Sequence, residues 1–343
     1  MKALQLSAYK QLELVDLPAP RPAEDELLIR IMACGICGSD VHGYDGSTGR
    51  RIPPIVMGHE AAGVVESVGG AVRNFRAGDR VTFDSTVYCG KCFYCLRGQI
   101  NLCDNREVIG VSTPAYRRMG AFAEFVTVPA RIAYPLPGNM SFPHAALIEA
   151  VSVAVHAVSL TPIALDDTVV VVGAGIIGLL VLQAARLAGA GKCLAVDVDD
   201  SRLEIARSLG ATHTFNSAGA DVAPQIIALT GGRGADIALE CVGATAPVKL
   251  ALDSVRKGGT VTLVGNLSPA IELGLQSTVT RQIRLQGSCA SAGEYPACIS
   301  MMARGTIIVD PLLSAVAPLQ SGASWFRRLY EREPGLLKVV LAP

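Results

Sequence analysis

Four cysteines stand between positions 89 and 103, in the order Cys89-Gly-Lys-Cys92-Phe-Tyr-Cys95 and then Cys103. Zinc takes four thiolates tetrahedrally, and closely spaced pairs let a tight loop wrap around one ion. Gly90 and Gly98 supply the turns, and Lys91, Arg97 and Arg106 offset the negative charge of such a centre. With every coordination position filled, this zinc is expected to hold shape and to touch no substrate. A redox Cys-x-x-Cys pair, an iron–sulfur cluster and a zinc-ribbon nucleic-acid module are the competing readings. No electron-transfer motif accompanies the cysteines. The 30 basic and 30 acidic side chains cancel, which argues against a polyanionic partner.

A second set is spread more widely. Cys37 opens the run Cys37-Gly-Ser39-Asp-Val-His42, Gly58-His59-Glu60 follows, and Glu149 lies far downstream. Thiolate, imidazole and carboxylate are the ligands of a catalytic zinc, which keeps a position for water or substrate. An ion held there would polarise an alcohol oxygen and make its proton easier to lose. The proton then needs a way out. The Ser39 hydroxyl could pass it on, and His42 could accept it near physiological pH. The bland readings are a loop-capping serine and a surface histidine.

The third chemical signal is Val169-Val-Val-Val172-Gly173-Ala-Gly175-Ile-Ile177-Gly178, an apolar strand running into G-x-G-x-x-G at the start of a helix. Gly173 makes the turn, Gly175 lets the backbone approach a pyrophosphate, and Gly178 packs helix on strand, with Ile177 in the first helical turn. Asp197 ends the next strand. Its carboxylate can accept from the ribose hydroxyls and would repel a 2′-phosphate, so NAD is expected over NADP. Arg202 could lie along the adenine edge.

These groups need two kinds of scaffold. Residues 1–150 read as short strands, among them Glu26–Met32, Ala62–Val68, Arg80–Phe83 and Ala123–Val128, separated by glycine and proline turns. Beyond Pro143 a helical pattern over 145–160 leads into alternating strands and helices. The strands are Val169–Val172, Cys193–Asp197, Ala235–Cys241 and Thr260–Gly265; the helices are Ile176–Ala188, Ser201–Leu209 and Val248–Ser254. That alternation predicts a parallel sheet with crossover helices over 151–296. Residues 297–343 lose it and are expected to complete the first domain. Thr168–Ala185 carries no charge, but its glycines break it into strand, turn and helix, so no membrane span is expected. The chain opens on a strand-like alternation without a secretory h-region, which predicts a cytoplasmic protein. Metal binding is then the better use for ten cysteines than disulfides. Cys34, Cys193, Cys241, Cys289 and Cys298 are expected to be mostly inert, buried thiols.

Over essentially its full length the chain resembles the zinc-containing medium-chain alcohol and polyol dehydrogenases. The resemblance rests on Cys37-Gly-Ser-Asp-Val-His42, Gly58-His-Glu-Ala-Ala-Gly63, Gly78-Asp-Arg-Val81, the four-cysteine lobe and the glycine fingerprint. Leu147-Ile-Glu149 makes it most similar to the sorbitol and galactitol-phosphate branch. The resemblance implies a GroES-like β-rich catalytic domain (1–150 with 297–343) and an inserted Rossmann α/β domain (151–296). It implies a catalytic zinc on Cys37 and His59 with Glu60 or Glu149 as third ligand, and a structural zinc on Cys89, Cys92, Cys95 and Cys103. Val242, Val264, Gly265 and Asn266 would flank the nicotinamide ribose, and Lys338 would reach the pyrophosphate. It also implies a homodimer or homotetramer. Two segments depart: Gly43, followed by Tyr44, comes after the motif histidine, and Gly287–Ala292 carries no arginine. The alcohol therefore stays open between secondary alcohols, polyols and polyol phosphates, with Arg117 or Arg118 as candidate phosphate partners. A threonine or amino-alcohol dehydrogenase and a non-enzymatic nucleotide-binding relative are the alternatives.

Overall fold

A computed structural model describes residues 1–113, 115 and 117–343. The chain forms two compact units, Met1–Glu149 with Ala292–Pro343, and Ala150–Ser291.

The first unit is built on the strand Glu26–Gly35. Leu27, Ile29 and Ile31 alternate inward, and Ala33, Cys34 and Gly35 are buried in succession. An alternating start buries one face of a sheet, and a continuous run buries both. Three strands pair with it antiparallel: Glu60–Val68, Phe125–Pro129 and Lys338–Ala342. Arg80–Phe83 and Ala133–Pro135 extend the sheet on one side, and Leu313–Pro318 extends it on the other. A smaller sheet of Gln11–Asp16, Lys2–Ala8 and Ile55–Val56 covers the core, in which Leu4, Leu6, Phe83, Phe122 and Phe326 are fully buried.

The second unit is a six-stranded parallel sheet. In space the strands run His213–Asn216, Lys192–Asp197, Thr168–Val172, Ala235–Glu240, Val255–Leu263 and Arg284–Gly287. In chain order this is 3-2-1-4-5-6, the doubly wound arrangement in which ligands bind where the strand order reverses. The central strands are apolar through their middles, as expected where helices cover both faces. The two edge strands were not foreseen. They are short, polar and without a fully buried residue, so no apolar run marks them. The charge-free stretch from Thr168 is the strand Thr168–Val172 and the helix Ile176–Leu187, and no described helix is long and apolar enough to cross a membrane.

The chain rejoins the first unit at Ala292, ahead of the expected residue 297. Tyr295 accounts for the difference. It is fully buried and stacks on Tyr134 of the first unit, with centroids 4.9 Å apart and planes 17° from parallel. Tyr295→Ala should lower the stability of this unit by about 3 kcal/mol, because a large buried ring leaves a cavity. Trp325, the single tryptophan, lies on the helix Gly322–Tyr330 of the same unit. Denaturant unfolding followed by its fluorescence would report the loss; an unchanged midpoint would contradict it.

Candidate active site

The site forms where the central strand ends. Gly35 is opposite Glu60, the first residue of one neighbouring strand, and Val340, in the middle of the other. A side chain at 35 would put its Cβ 2.3 Å from Glu60 Oε2; glycine leaves the room in which that carboxylate folds over the backbone. Lys338 Nζ donates to Glu60 Oε1 (2.8 Å), Glu60 Oε2 (2.6 Å) and the Ile36 carbonyl (3.0 Å). Burial works against the lysine's charge, but Glu60 and Cys37 outweigh it and raise its pKa. Lys338 was expected at the pyrophosphate. It is 2% exposed and neutralises a buried carboxylate of its own unit.

Cys37 caps the short helix Gly38–Tyr44. Its Sγ accepts from the Ser39 N–H (3.5 Å), and Asp40 Oδ2 accepts in return from the Cys37 N–H (3.4 Å). Asp40 is fully buried. Its Oδ1 accepts from Arg51 Nε (3.2 Å) and Nη2 (3.0 Å), and lies 3.4 Å from His59 Nδ1. Burial opposes ionisation of Asp40, yet His59 and Arg51 hold its pKa down to about 2. His59 shows the reciprocal effect: burial favours the neutral ring, but Asp40 and Cys37 raise its pKa well above the usual value. With Nδ1 facing Asp40, Nε2 is left for a metal, as in carboxylate–histidine–zinc arrangements.

Single donor atoms of Cys37, His59 and Glu60 all lie within 4.8 Å of one another. Glu149 stands outside that group, at the start of the helix Ile148–Ser159. Burial, opposed by His59 and reinforced by Glu60 and Asp84, pushes its pKa up to about 7. Thiol, imidazole and carboxylate thus converge as a zinc site needs, with a second carboxylate close enough to feel their charges. Ser39 is exposed beside Cys37, and His42 is half-buried one turn on. Burial, with help from Arg332, lowers the His42 pKa and leaves its ring neutral near pH 7. Tyr44 donates to the Lys10 carbonyl (2.6 Å) and belongs to the core.

Cys89, Cys92, Cys95 and Cys103 likewise bring their sulfurs within 4.8 Å of one another. Gly90 (φ 76°) and Gly98 (φ 75°) take the left-handed turns between them. Cys103 Sγ accepts from the Cys89 and Asn105 N–H groups, both at 3.3 Å. The Lys91 N–H leads the contacts that lower the Cys89 thiol to about 6. Arg97 lies 3.5 Å from the Phe93 ring centroid. A closed set of four sulfurs wrapped in backbone donors fits a structural zinc.

In the second unit Gly173 (φ 95°) turns the chain out of its strand. A Cβ on Gly178 would fall 1.7 Å from the Gly173 carbonyl oxygen, whereas one on Gly175 would meet nothing within 4 Å. Gly178 is therefore needed for packing, and Gly175 faces open space. Gly175 caps the helix Ile176–Leu187 without any side-chain hydrogen bond, so the first-turn N–H groups remain available to a phosphate. Asp197 is buried; its Oδ2 accepts from Ala174 N–H (2.6 Å), tying it to the glycine loop. Arg202 lies 3.6 Å from Asp199. Val242 and Gly243 follow one strand, and Val264 and Gly265 follow the next. Their backbones pack so closely that a Cβ on Gly265 would lie 2.2 Å from Gly243 N. Glu240, fully buried, accepts from the Val242 and Gly243 N–H groups and holds this crossing; nothing local in the sequence marked it.

Residues 23–138 match the alcohol dehydrogenase GroES-like domain, and residues 177–304 match the zinc-binding dehydrogenase domain. The sorbitol dehydrogenase of Bacillus subtilis is 34% identical, over 100% of this chain and 97% of that one. This chain belongs to the zinc-binding alcohol dehydrogenase family. Galactitol-1-phosphate dehydrogenase from Escherichia coli shares its fold at a TM-score of 0.92, with 28% identity and 100% of both chains covered. A zinc-binding dehydrogenase from Sinorhizobium meliloti, solved with NADP, reaches 0.90 with 32% identity over 100% of this chain and 99% of that one.

One further expectation for this dehydrogenase needs correction. Arg118 is not free for a phosphate, because its guanidinium is shared between Glu26 and Glu107. Cys289 is exposed, unlike Cys34, Cys193 and Cys298, because it lies in the loop beyond the sheet's edge strand. The raised pKa of Glu149 gives a pH test. An acid whose folded pKa lies above its unfolded one destabilises the fold as pH rises between the two values. In the metal-free dehydrogenase stability should therefore fall from about pH 4.5 to about 7. Glu149→Gln should flatten that slope and raise the melting temperature at pH 8 by roughly 5 °C. Parallel melting curves for the two proteins across this range would contradict it.

Proposed function

We propose that this dehydrogenase oxidises a secondary carbinol of a polyol or polyol phosphate, reversibly, with NAD as hydride acceptor. The convergence of Cys37, His59 and Glu60 within 4.8 Å carries this reading. A bound zinc supplies Lewis-acid polarisation of the substrate oxygen. Cys37, His59 and either Glu60 or Glu149 would hold it, and Glu60 would have to share its oxygens with Lys338. Asp40 orients the His59 ring. The exposed Ser39 hydroxyl takes up the alcohol's proton, and neutral His42 receives it. The four-cysteine lobe holds a second zinc that keeps its own loop folded.

NAD is favoured over NADP because Asp197 puts a carboxylate at the glycine loop, where a 2′-phosphate would meet like charge. The names of the relatives support sorbitol-like and galactitol-phosphate-like substrates. Exposed Arg117 remains a candidate phosphate partner. Dimerisation is supported by the edge strand Arg284–Gly287, whose outer side has no strand partner among the described residues, and by exposed Leu275 and Val279 nearby in sequence.

Assayed with sorbitol, galactitol 1-phosphate, 2,3-butanediol and threonine, the enzyme should produce NADH with a polyol or its phosphate. Cys37→Ser should abolish turnover and leave about one zinc per chain where the parent holds about two. Turnover retained in that variant, or zinc content unchanged, would overturn the metal assignment. A separate measurement tests the cofactor. The kcat/KM ratio for NAD over NADP should exceed one and fall roughly tenfold in Asp197→Ala, about the worth of one charged hydrogen bond. A parent that prefers NADP would contradict the role given to Asp197.

A further inference from the structure

Arg51 is a buried cation that the zinc chemistry does not call for. Only 4% of its surface is exposed, and its one guanidinium serves two residues. Nε and Nη2 both donate to Asp40 Oδ1, and Nη2 also donates to Ser39 Oγ (3.3 Å). Gly43 makes this reach possible. A Cβ there would lie 2.2 Å from Arg51 Cγ and 2.9 Å from its Cβ, so the arginine stem lies directly against the backbone of the Gly38–Tyr44 helix. A buried cation is tolerated only when its donors are matched by acceptors, and here a fully buried carboxylate and a hydroxyl provide them.

We propose that Arg51 is a positioning residue that sets both the metal-binding imidazole and the direction of proton release. The inference rests on the reading of Ser39 as the group that takes up the alcohol's proton. Through Asp40 the guanidinium acts on two ligands at once. Asp40 Oδ1 faces His59 Nδ1 at 3.4 Å, and Oδ2 accepts from the Cys37 N–H. Pinning Asp40 therefore pins the His59 ring and the turn that carries Cys37. Through Ser39 the effect is directional. Arginine has donors and no acceptor, so the Ser39 O–H cannot point at it. The Arg51 N–H occupies one lone pair of Oγ. The other lone pair receives the incoming proton while the serine's own O–H proton leaves, so one O–H bond forms as one breaks. The adjacent positive charge disfavours any state in which Ser39 carries both protons, which couples uptake to release.

Lysine keeps the charge but presents a single ammonium without the planar fork, so it cannot reproduce both contacts. Arg51→Lys should retain about two zinc ions per chain at saturating metal. It should give up the more labile ion roughly tenfold more readily in competition with a chelator, as losses of outer-shell partners do. With the substrate that supports turnover in the parent, kcat should fall roughly tenfold to a hundredfold with little change in KM, and the solvent deuterium isotope effect on kcat should rise. Arg51→Ala should be slower still and regain activity with added guanidinium well below denaturing concentrations. Unchanged chelator competition together with an unchanged isotope effect in Arg51→Lys would overturn the proposal. Ser39→Ala separates it from the reading beneath it. If Ser39→Ala turns over like the parent, the Ser39 relay fails. If Ser39→Ala is slow and Arg51→Lys is not, the role of Arg51 alone fails.

Discussion

The ion pair between Glu60 and Lys338 holds the first unit's chemistry together. Both groups are almost completely buried, at 1% and 2% exposure, and neither charge would be tolerated there alone. The pairing of strands makes the contact possible. Glu60–Val68 and Lys338–Ala342 lie on opposite sides of the same strand, and Gly35 leaves the gap over which the two side chains meet. Because the lysine neutralises Glu60, a carboxylate can sit beside a thiol and an imidazole without pushing the sheet apart. The Asp40–Arg51 pair does the same on the other side of His59. The Cys37–His59–Glu60 cluster is thus flanked by two buried ion pairs, one of them joining residues 278 apart in the sequence.

That geometry explains what could be read from the sequence. Cys89, Cys92, Cys95 and Cys103 form one loop, and Gly173, Gly175 and Gly178 form one turn. Their spacing is their structure, so both were legible. Cys37, His59 and Glu60 were legible as ligand types, because each is embedded in a short motif. Lys338 was noticed, but its pairing with Glu60 was not. Its sequence neighbours say only that it starts a strand; what it touches depends on a register set 278 residues earlier. Arg51 and Glu240 gave no signal, since an arginine before Ile-Pro-Pro and a glutamate closing an apolar strand look like ordinary surface and edge residues. The sheet's two edge strands were missed for a related reason: exposure on one side removes the apolar run that marks a strand.

The two units place their close approaches differently. In the first, close approach falls between charged side chains and glycine, as at Gly35 with Glu60 and Gly43 with Arg51. In the second it falls between backbone and backbone, as at Gly178 with Gly173 and Gly265 with Gly243. One unit is shaped to hold charges at fixed separations. The other is shaped to clear a path to bare helix N–H groups. Metal chemistry requires the first, and binding the phosphates of a dinucleotide requires the second.

The distance along the chain between Glu60 and Lys338 also orders events during synthesis. The four lobe cysteines leave the ribosome within a few residues of one another and can close around an ion while most of the protein is still unmade. Cys37, His59 and Glu60 emerge earlier still, yet the lysine that balances their carboxylate comes last. The lobe cysteines are thus close neighbours in the chain, whereas the Glu60–Lys338 pair can form only once residue 338 has been made.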